Sequence, residues 1–231
     1  MNSRNKLFAG MAALGVASLV VTGCSKDGNG PAGPATSQPV VTEYTQAQSG
    51  WKTSSGTNLV STVTAQSPVP GYAARMGGIA NIWIGVFEHP VSTTYLQNTH
   101  SGNPGDYRVE STYNWKGSIA GNGIAGAGAR VEMIMQILDL NGNLITSYDI
   151  HEKEVRESAL QVGGIIDQGS RQIVVDFTLP QGRTGFNIRF LMRCEAWSGF
   201  FGAISQCNFG NTSTTGHYSG WSSLKVTEFP N

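Results

Sequence analysis

Residues 131–150 read VEMIMQILDLNGNLITSYDI, and this stretch decides the class of fold. Apolar side chains occupy every second position from Val131 to Ile137, and a second strand-like run extends from Leu144 to Ile150. Between the two runs stands Asn141-Gly142, a pair that favours tight hairpin turns with positive φ. Because alternation with a period of two places one side of each segment against a core, the stretch predicts an antiparallel β-hairpin within 129–155.

Other parts of the chain have the same strand-like character. Ile79–Phe87 is apolar on both faces, which predicts a central strand, and Pro180-Gln181-Gly182 predicts a turn. A short helix within 152–162 is the one helical alternative. The predicted strands outside the hairpin are Asn58–Ala65, Ile79–Phe87, Tyr107–Trp115, Ile173–Leu179, Phe186–Cys194 and Trp221–Phe229. We therefore predict an all-β, two-sheet antiparallel β-sandwich with a jelly-roll-like order, and a lipocalin-like β-barrel is the alternative.

The composition narrows the possible partners. Charged residues make up 13% of the chain, the formal net charge is +0, and there are 30 glycines. The charged fraction is about half of the usual ~25%, which is typical of a β protein with polar, uncharged loops. No excess of basic residues is available to attract nucleic acid, so we expect no nucleic-acid partner.

The N-terminus has the pattern of an export signal. Arg4 and Lys6 precede an apolar run from Leu7 to Val21, which is shorter than the ~20 residues of a membrane-spanning helix. The run ends in Val21-Thr22-Gly23-Cys24, which resembles the lipobox of bacterial lipoproteins with a type II signal peptide. A plain secretory signal or a membrane anchor is the alternative. The resemblance covers residues 1–24 only.

That resemblance implies cleavage before Cys24 and lipid attachment to Cys24. It places the protein in the bacterial cell envelope, anchored to a membrane by lipid, and Ser25 in place of Asp implies the outer membrane. Residues 24–50 are rich in Gly, Pro, Ser, Thr and Gln, which predicts a flexible, disordered tether. The expected organisation is a signal peptide at 1–23, a tether at 24–50 and a β-sandwich domain at 51–231.

The cysteine count fits an exported protein. If Cys24 carries lipid, Cys194 and Cys207 remain as a pair in an oxidising compartment, and we predict a disulfide between them. Two unpaired core cysteines are the alternative.

Two segments, Glu88–Asp106 and Trp197–Trp221, are predicted as long loops, a length that is typical of functional segments. The second combines aromatic rings with hydroxyl and amide side chains, a composition that suits saccharide binding. It also suits protein contact or simple capping of the core. The candidate ligand-binding residues are Trp197, Phe200, Phe201, His217, Tyr218 and Trp221.

The sequence contains no recognisable catalytic or metal-binding motif. A Gly-x-Ser-x-Gly elbow and a zinc-type His-Glu-x-x-His are both absent, and no carboxylate pair alternates on one predicted strand. We expect no catalytic residue, no transition metal and no cofactor. A structural calcium ion near Asp106, Asp139 or Asp167 is the open exception.

Together these patterns predict a membrane-anchored envelope lipoprotein whose β-sandwich binds a ligand without catalysis. A saccharide is the expected ligand. The alternative is a structural or protein-binding envelope component, and a hydrolase is the least favoured class.

Overall fold

The computed structural model describes residues 38–55, 63–66, 74–85, 87–123, 126–156, 165–199, 203–210 and 216–230. Every regular element in these ranges is a β-strand. The strands are β1 (Val40–Tyr44), β2 (Ser49–Ser55), β3 (Val63–Gln66), β4 (Ala74–Gly85), β5 (Val91–Ser101), β6 (Gly105–Gly123), β7 (Gly128–Asp139), β8 (Leu144–Arg156), β9 (Ile165–Leu179), β10 (Gly185–Trp197), β11 (Ala203–Asn208) and β12 (Tyr218–Phe229).

The strands form two antiparallel sheets. A five-stranded sheet has the order β2-β5-β10-β7-β8, and a seven-stranded sheet contains β1, β3, β4, β6, β9, β11 and β12. The predicted β-sandwich is therefore confirmed. The barrel alternative is wrong, because the described strands pair within two separate sheets and do not close into one.

The pairing is nested around the hairpin β7–β8. Going outward from it, β6 pairs with β9, β5 pairs with β10, and β4 pairs with β11. Successive pairs alternate between the two sheets, so the long antiparallel pair of chain segments that begins at the hairpin folds back and forth across the sandwich. This is the jelly-roll arrangement.

The core lies between the sheets and follows the alternation seen in the sequence. The predicted inward side chains of β7, from Val131 to Ile137, are at most 1% exposed. They meet large side chains from both sheets, including Phe186, Phe190 and Trp221, which are equally buried. Burial of each such side chain contributes about 1.5–3 kcal/mol, so this layer is the main stabilising element of the fold.

The hairpin turn differs in detail from the predicted turn. Gly142 has a φ of +88°, whereas Asn141 does not adopt positive φ. Asp139 N–H donates to the carbonyl oxygen of Asn143 (2.8 Å), and Gly142 N–H donates to the carbonyl oxygen of Asp139 (2.9 Å). Asp139 Oδ1 also accepts from the amides of Asn141 and Asn143 at 2.9 and 2.8 Å. The loop thus has three residues between Asp139 and Asn143, and within it only Gly142 has a left-handed backbone conformation.

Several predicted boundaries are wrong. β5 fills most of the predicted loop Glu88–Asp106, and β11 lies inside the predicted loop Trp197–Trp221. Residues 152–156 extend strand β8 and are not helical. The expected domain boundary at residue 51 is also too late, because β1 and the start of β2 lie in the predicted tether. β1 pairs with β12 from Val40 to Tyr44, so the compact unit begins before the expected boundary.

Other predictions lie outside the described residues. These are the lipobox with Cys24, the tether up to residue 37, and the first part of the predicted strand Asn58–Ala65, of which Val63–Gln66 forms β3. In the part of the chain that is described, no helix is long and apolar enough to cross a membrane.

Candidate functional site

The outer face of the five-stranded sheet carries the most distinctive group of side chains. Burial alternates along β5, β7 and β10, so every second side chain points away from the core. Strand register aligns these outward side chains in rows across the sheet. We call this surface the platform face. Its central members are Trp51, Thr93, Tyr95, Gln97, Glu132, Ile134, Gln136, Arg189, Leu191 and Arg193.

An aromatic pair forms the centre of the platform face. Trp51 on β2 lies directly opposite Tyr95 on β5, and their rings stack with centroids 5.6 Å apart at an angle of 27°. Trp51 is 48% exposed, while Tyr95 is half-buried. Leu191 and Ile134 continue the same row across β10 and β7 and are also half-buried. The row is therefore an apolar strip with two rings at one end.

Polar side chains border this strip. Gln97 and Arg189 lie in the next row, where the guanidinium carbon of Arg189 is 4.3 Å from the centroid of the Tyr95 ring. Arg189 Nε and Nη2 both donate to Gln97 Oε1, at 3.1 and 3.0 Å. Gln136 follows Arg189 in that row. The arginine is held in place by a neutral amide and a ring face.

On the other side of the strip the charges are paired. Arg193 Nε lies 2.5 Å from Glu195 Oε1 on the same strand. Arg130 Nη2 lies 2.9 Å from Glu152 Oε1 and 3.8 Å from Glu132 Oε1. Exposed ion pairs of this kind contribute little to stability, but they neutralise the local field.

Trp197, a predicted site residue, lies on the platform face at the far end of β10. It is half-buried and packs over Gly128, where a Cβ atom would clash with its indole ring. His89 meets it edge-on, with centroids 6.3 Å apart at 80°, and His89 Nε2 lies 3.1 Å from Glu195 Oε2. Trp197 is six positions along β10 from Leu191, so it stands about 20 Å from the apolar strip, with the ion pair of Arg193 and Glu195 between them.

The remaining predicted site residues do not join Trp197. Trp221 is fully buried and packs against Phe190 in the core, so its assignment as a ligand-binding residue is wrong. The reason is strand register, because Trp221 lies on the inward side of β12. Phe200 and Phe201 lie outside the described residues.

Tyr218 begins β12 of the seven-stranded sheet, His217 directly precedes it, and both are half-buried. The guanidinium carbon of Arg75 lies 5.4 Å from the Tyr218 ring centroid. Burial lowers the pKa of His217, and the positive charge of Lys116 lowers it further. The predicted cluster is therefore divided between two sheets.

The sequence interpretation missed Trp51 and Tyr95 as a pair. Trp51 stood at the edge of the predicted tether, and Tyr95 stood in a predicted loop. The usable signal was the alternation within VSTTYLQNTH from Val91 to His100, in which the inward positions include Ser92, Thr94 and Asn98. Polar inward residues hid the pattern, since a strand is normally recognised from apolar ones.

The aspartates considered for calcium bind protein donors. Asp139 accepts from Asn143 Nδ2 at 2.9 Å and faces Arg183 Nη2 at 3.0 Å. Its hydrogen bonds with Asn143 lower its pKa most, and Arg183 and Asn141 lower it further. Asp106 Oδ1 accepts from Thr178 Oγ1 at 2.6 Å. A calcium ion would have to displace these donors, and among the described residues no three His, Cys, Asp or Glu side chains are grouped as a metal site.

Asp167 forms a dyad with a histidine. His151 Nε2 lies 2.6 Å from Asp167 Oδ2, and Lys153 Nζ lies 3.5 Å from Oδ1. Burial alone would raise the pKa of Asp167, but the hydrogen bond and charge of His151, with Lys153, outweigh it and lower that pKa. The His151 ring stacks on Trp115, with centroids 4.5 Å apart. The dyad is therefore packed between side chains at the edge of the sandwich.

A groove of about 570 Å³ crosses the outer face of the seven-stranded sheet. The groove follows the bulge in β12 at Ser222. Within its lining, Lys225 Nζ forms an ion pair with Glu110 Oε2 at 2.9 Å. Its outward side chains include Glu43, Gln172 and Val174. Tyr44, its aromatic lining residue, is engaged elsewhere: its hydroxyl lies 3.0 Å from His100 Nδ1. The groove is thus of mixed polarity and lacks an open ring face along its described lining.

The two described cysteines face each other across the sandwich. Cys194 on β10 and Cys207 on β11 are both fully buried, and the structure has them as free thiols. Burial raises the pKa of Cys207 most, and the hydrogen bond and charge of Cys194 raise it further. The side chains therefore interact between the two sheets, and the disulfide itself stays a prediction.

No protein-family model and no curated protein matches the chain. Solved structures with a similar arrangement include a family 35 carbohydrate-binding module from Clostridium thermocellum, at 15% identity over 82% of this chain and 98% of that chain, with a TM-score of 0.29. TmCBM61 in complex with β-1,4-galactotriose is similar at 14% identity over 72% of this chain and 92% of that chain, with a TM-score of 0.29.

The enzymatically active domain of bacteriophage CBA120 tailspike protein 4 is 16% identical over 77% of this chain, with a TM-score of 0.29, and the match spans 20% of the tailspike chain. TM-scores at this level assign no ligand to the present protein.

Proposed function

We propose that this protein binds saccharides without catalysis, through the platform face of its five-stranded sheet. The observation that carries the proposal is the stacked pair Trp51–Tyr95, with Trp51 48% exposed on a regular sheet surface. A large ring that stays exposed outside a core is typical of a binding surface.

The chemistry of the bordering side chains suits a sugar. The C–H faces of a pyranose pack on aromatic rings, while hydroxyl groups need donors and acceptors around the ring. Gln97, Gln136 and Thr93 supply neutral amide and hydroxyl groups next to the apolar strip. Because these side chains stand on paired strands, little ordering is needed when a ligand binds.

The shape of the surface favours an extended ligand. Trp197 lies on the same face about 20 Å along β10 from the Trp51–Tyr95 row by strand rise, beyond the ion pair of Arg193 and Glu195. A linear oligosaccharide that crosses the sheet diagonally from β2 to β10 would contact Trp51 near one end and Trp197 near the other. We therefore expect longer oligosaccharides to bind more tightly than single sugars.

The predicted lipid anchor fits this role. With lipid on Cys24, the sandwich would be tethered to a membrane of the bacterial cell envelope, and Ser25 favours the outer membrane. Two or more acyl chains hold a protein stably at a bilayer. Such a protein would retain a polysaccharide at the cell surface or bind a glycan of the envelope itself.

A screen of immobilised polysaccharides and oligosaccharides tests the proposal, using the purified protein, Trp51→Ala and Trp51→Phe. We expect binding to at least one linear glycan, loss of that binding in Trp51→Ala, and most of it retained in Trp51→Phe, which keeps a ring. Equal binding by wild type and Trp51→Ala would contradict the proposed site. No binding to any glycan would contradict the function and leave a protein partner as the alternative.

A further inference from the structure

The charges of the platform face are distributed unevenly. Arg130 and Arg193 each have a glutamate within ion-pair distance. Arg189, on the same strand and face as Arg193, has no carboxylate within 4.0 Å among the described residues. Its recorded partners are the Gln97 amide and the Tyr95 ring, and both are neutral.

The whole row around Arg189 is otherwise uncharged. Strand register aligns Ser49, Gln97, Arg189, Gln136 and Ser147 across the five strands. The nearest acid in the adjoining row is Asp149 on the edge strand β8, opposite Ile134 of β7. Because β8 lies two strands away from β10, Asp149 is about 10 Å or more from Arg189. One positive charge therefore stands beside the aromatic pair without a counter-charge.

The geometry also presents Arg189 for ligand binding. Nε and Nη2 are both directed to a single acceptor, Gln97 Oε1, which leaves Nη1 without a described acceptor. The guanidinium carbon also lies over the Tyr95 ring, 4.3 Å from its centroid, which further restricts the side chain. A guanidinium held in this way loses little entropy when it binds an anion and offers more than one N–H donor to it.

We propose that the saccharide bound by this face is acidic, with an anionic group, a uronate carboxylate or a sulfate ester, paired to Arg189 while the neighbouring sugar ring lies on Trp51. This inference rests on the proposed saccharide-binding function. The acidic group completes an ion pair that the protein leaves open, whereas a neutral sugar leaves the arginine charge without a partner.

Matched pairs of probes test the inference by titration calorimetry. Oligogalacturonate is compared with its methyl ester, and a carrageenan oligosaccharide is compared with its desulfated form. Within at least one pair we expect the acidic probe to bind about tenfold more tightly or better, and its advantage to shrink as salt is raised. The pair that shows the difference identifies the anionic group.

The variants are Arg189→Gln and the matched control Arg193→Gln, four residues along the same strand and face. Arg189→Gln is expected to remove the preference for the acidic probe while leaving binding of the neutral one. Arg193→Gln, whose charge is already paired, is expected to keep the preference. Far-ultraviolet circular dichroism and thermal unfolding confirm that each variant is folded.

Any of three results overturns the inference alone, and a fourth overturns the proposed function as well. If the neutral probes bind as well as the acidic ones, or if Arg189→Gln keeps the acidic preference, Arg189 does not select charge although saccharide binding stands. If the neutral panel of the screen binds through Trp51 and neither acidic probe binds, the inference fails alone. If no glycan of either kind binds, the proposed function fails with it.

Discussion

Trp51 and Trp221 have the same side chain in opposite surroundings. Trp51 is 48% exposed beside Tyr95 on an outer face, whereas Trp221 is 0% exposed and packs against Phe190. The sequence alone does not distinguish the two residues, and the strand register determines which ring is exposed and which is buried.

Substitution of the two tryptophans should therefore have opposite effects. Trp221→Ala leaves a cavity between the sheets and should lower the free energy of unfolding by about 3–5 kcal/mol, with saccharide binding retained by the folded fraction. Trp51→Ala should change it by less than about 1 kcal/mol and abolish binding. Urea denaturation measures both, and a stable Trp221→Ala protein would show that this ring is not in the core.

His100 gives the fold a dependence on pH. Its ring packs against Phe186 at 5.0 Å and Tyr107 at 5.8 Å, and Tyr44 Oη lies 3.0 Å from its Nδ1. Burial lowers the pKa of His100 below its usual 6.5, and the charge of Glu228 opposes this only in part. The unfolded chain thus binds the proton more readily than the folded protein does.

The stability that neutral His100 contributes is complete above its unfolded pKa and is lost as the pH falls through 6.5 toward the folded value. We expect the free energy of unfolding of the wild type to fall more between about pH 7.5 and about pH 5.5 than that of His100→Gln. Comparing the two proteins cancels the other titrating groups. Parallel pH profiles would contradict this account of His100.

At the scale of elements, the hairpin β7–β8 depends on one glycine. Gly142 has a φ of +88° with no neighbouring heavy atom near a Cβ position, so an added methyl group meets backbone strain and no clash. Gly142→Ala should lower the free energy of unfolding by about 1–2 kcal/mol. Leu140→Ala, at an exposed position of the same loop, should change it little. Denaturant titration of both variants checks this, and equal effects would contradict it.

The strands that the sequence predicts well are those whose inward positions are apolar. Val131 to Ile137 shows the pattern directly, and the alternation of β6 and β10 is equally clear. β5 was missed because Ser92, Thr94 and Asn98 point inward, and polar inward residues mimic a loop. β1 was missed because it follows a Gly/Pro-rich run and lies at a sheet edge, where Val40 and Val41 stay exposed.

At the scale of the whole molecule, Cys194 and Cys207 lie where the two sheets face each other. One lies on β10 of the five-stranded sheet and the other on β11 of the seven-stranded sheet, and both are fully buried. If the protein is exported as predicted, these thiols would oxidise to a disulfide. Closing a loop of this length contributes about 3 kcal/mol in the chain-entropy model.

Reduction should therefore lower the free energy of unfolding of the exported protein by about 3 kcal/mol, and the variant with both cysteines changed to alanine should not respond to reductant. Intact mass after alkylation in denaturant, with and without reductant, measures the thiol state. Alkylation of both residues without reductant would contradict the disulfide.

From the sequence, an expected class of ligand could be named, but the residues of the candidate site could not. Aromatic rings among amides and hydroxyls indicated a saccharide ligand, but the rings of Trp197–Trp221 are divided between the core and two sheets. Trp51 and Tyr95 are 44 positions apart in the sequence and become neighbours only through the pairing of β2 with β5. Contacts between strands that are distant along the chain depend on the full topology, which local patterns do not specify.

The most direct test of the central claim is the affinity of wild type, Trp51→Ala and Tyr218→Ala for one glycan identified in the screen. Trp51 and Tyr218 are aromatic residues on the two different sheets. We predict that Trp51→Ala weakens binding at least about tenfold, since a stacked ring is worth more than 1 kcal/mol, and that Tyr218→Ala leaves the affinity unchanged. Loss of affinity in Tyr218→Ala with Trp51→Ala unaffected would move the site to the other sheet and contradict the account.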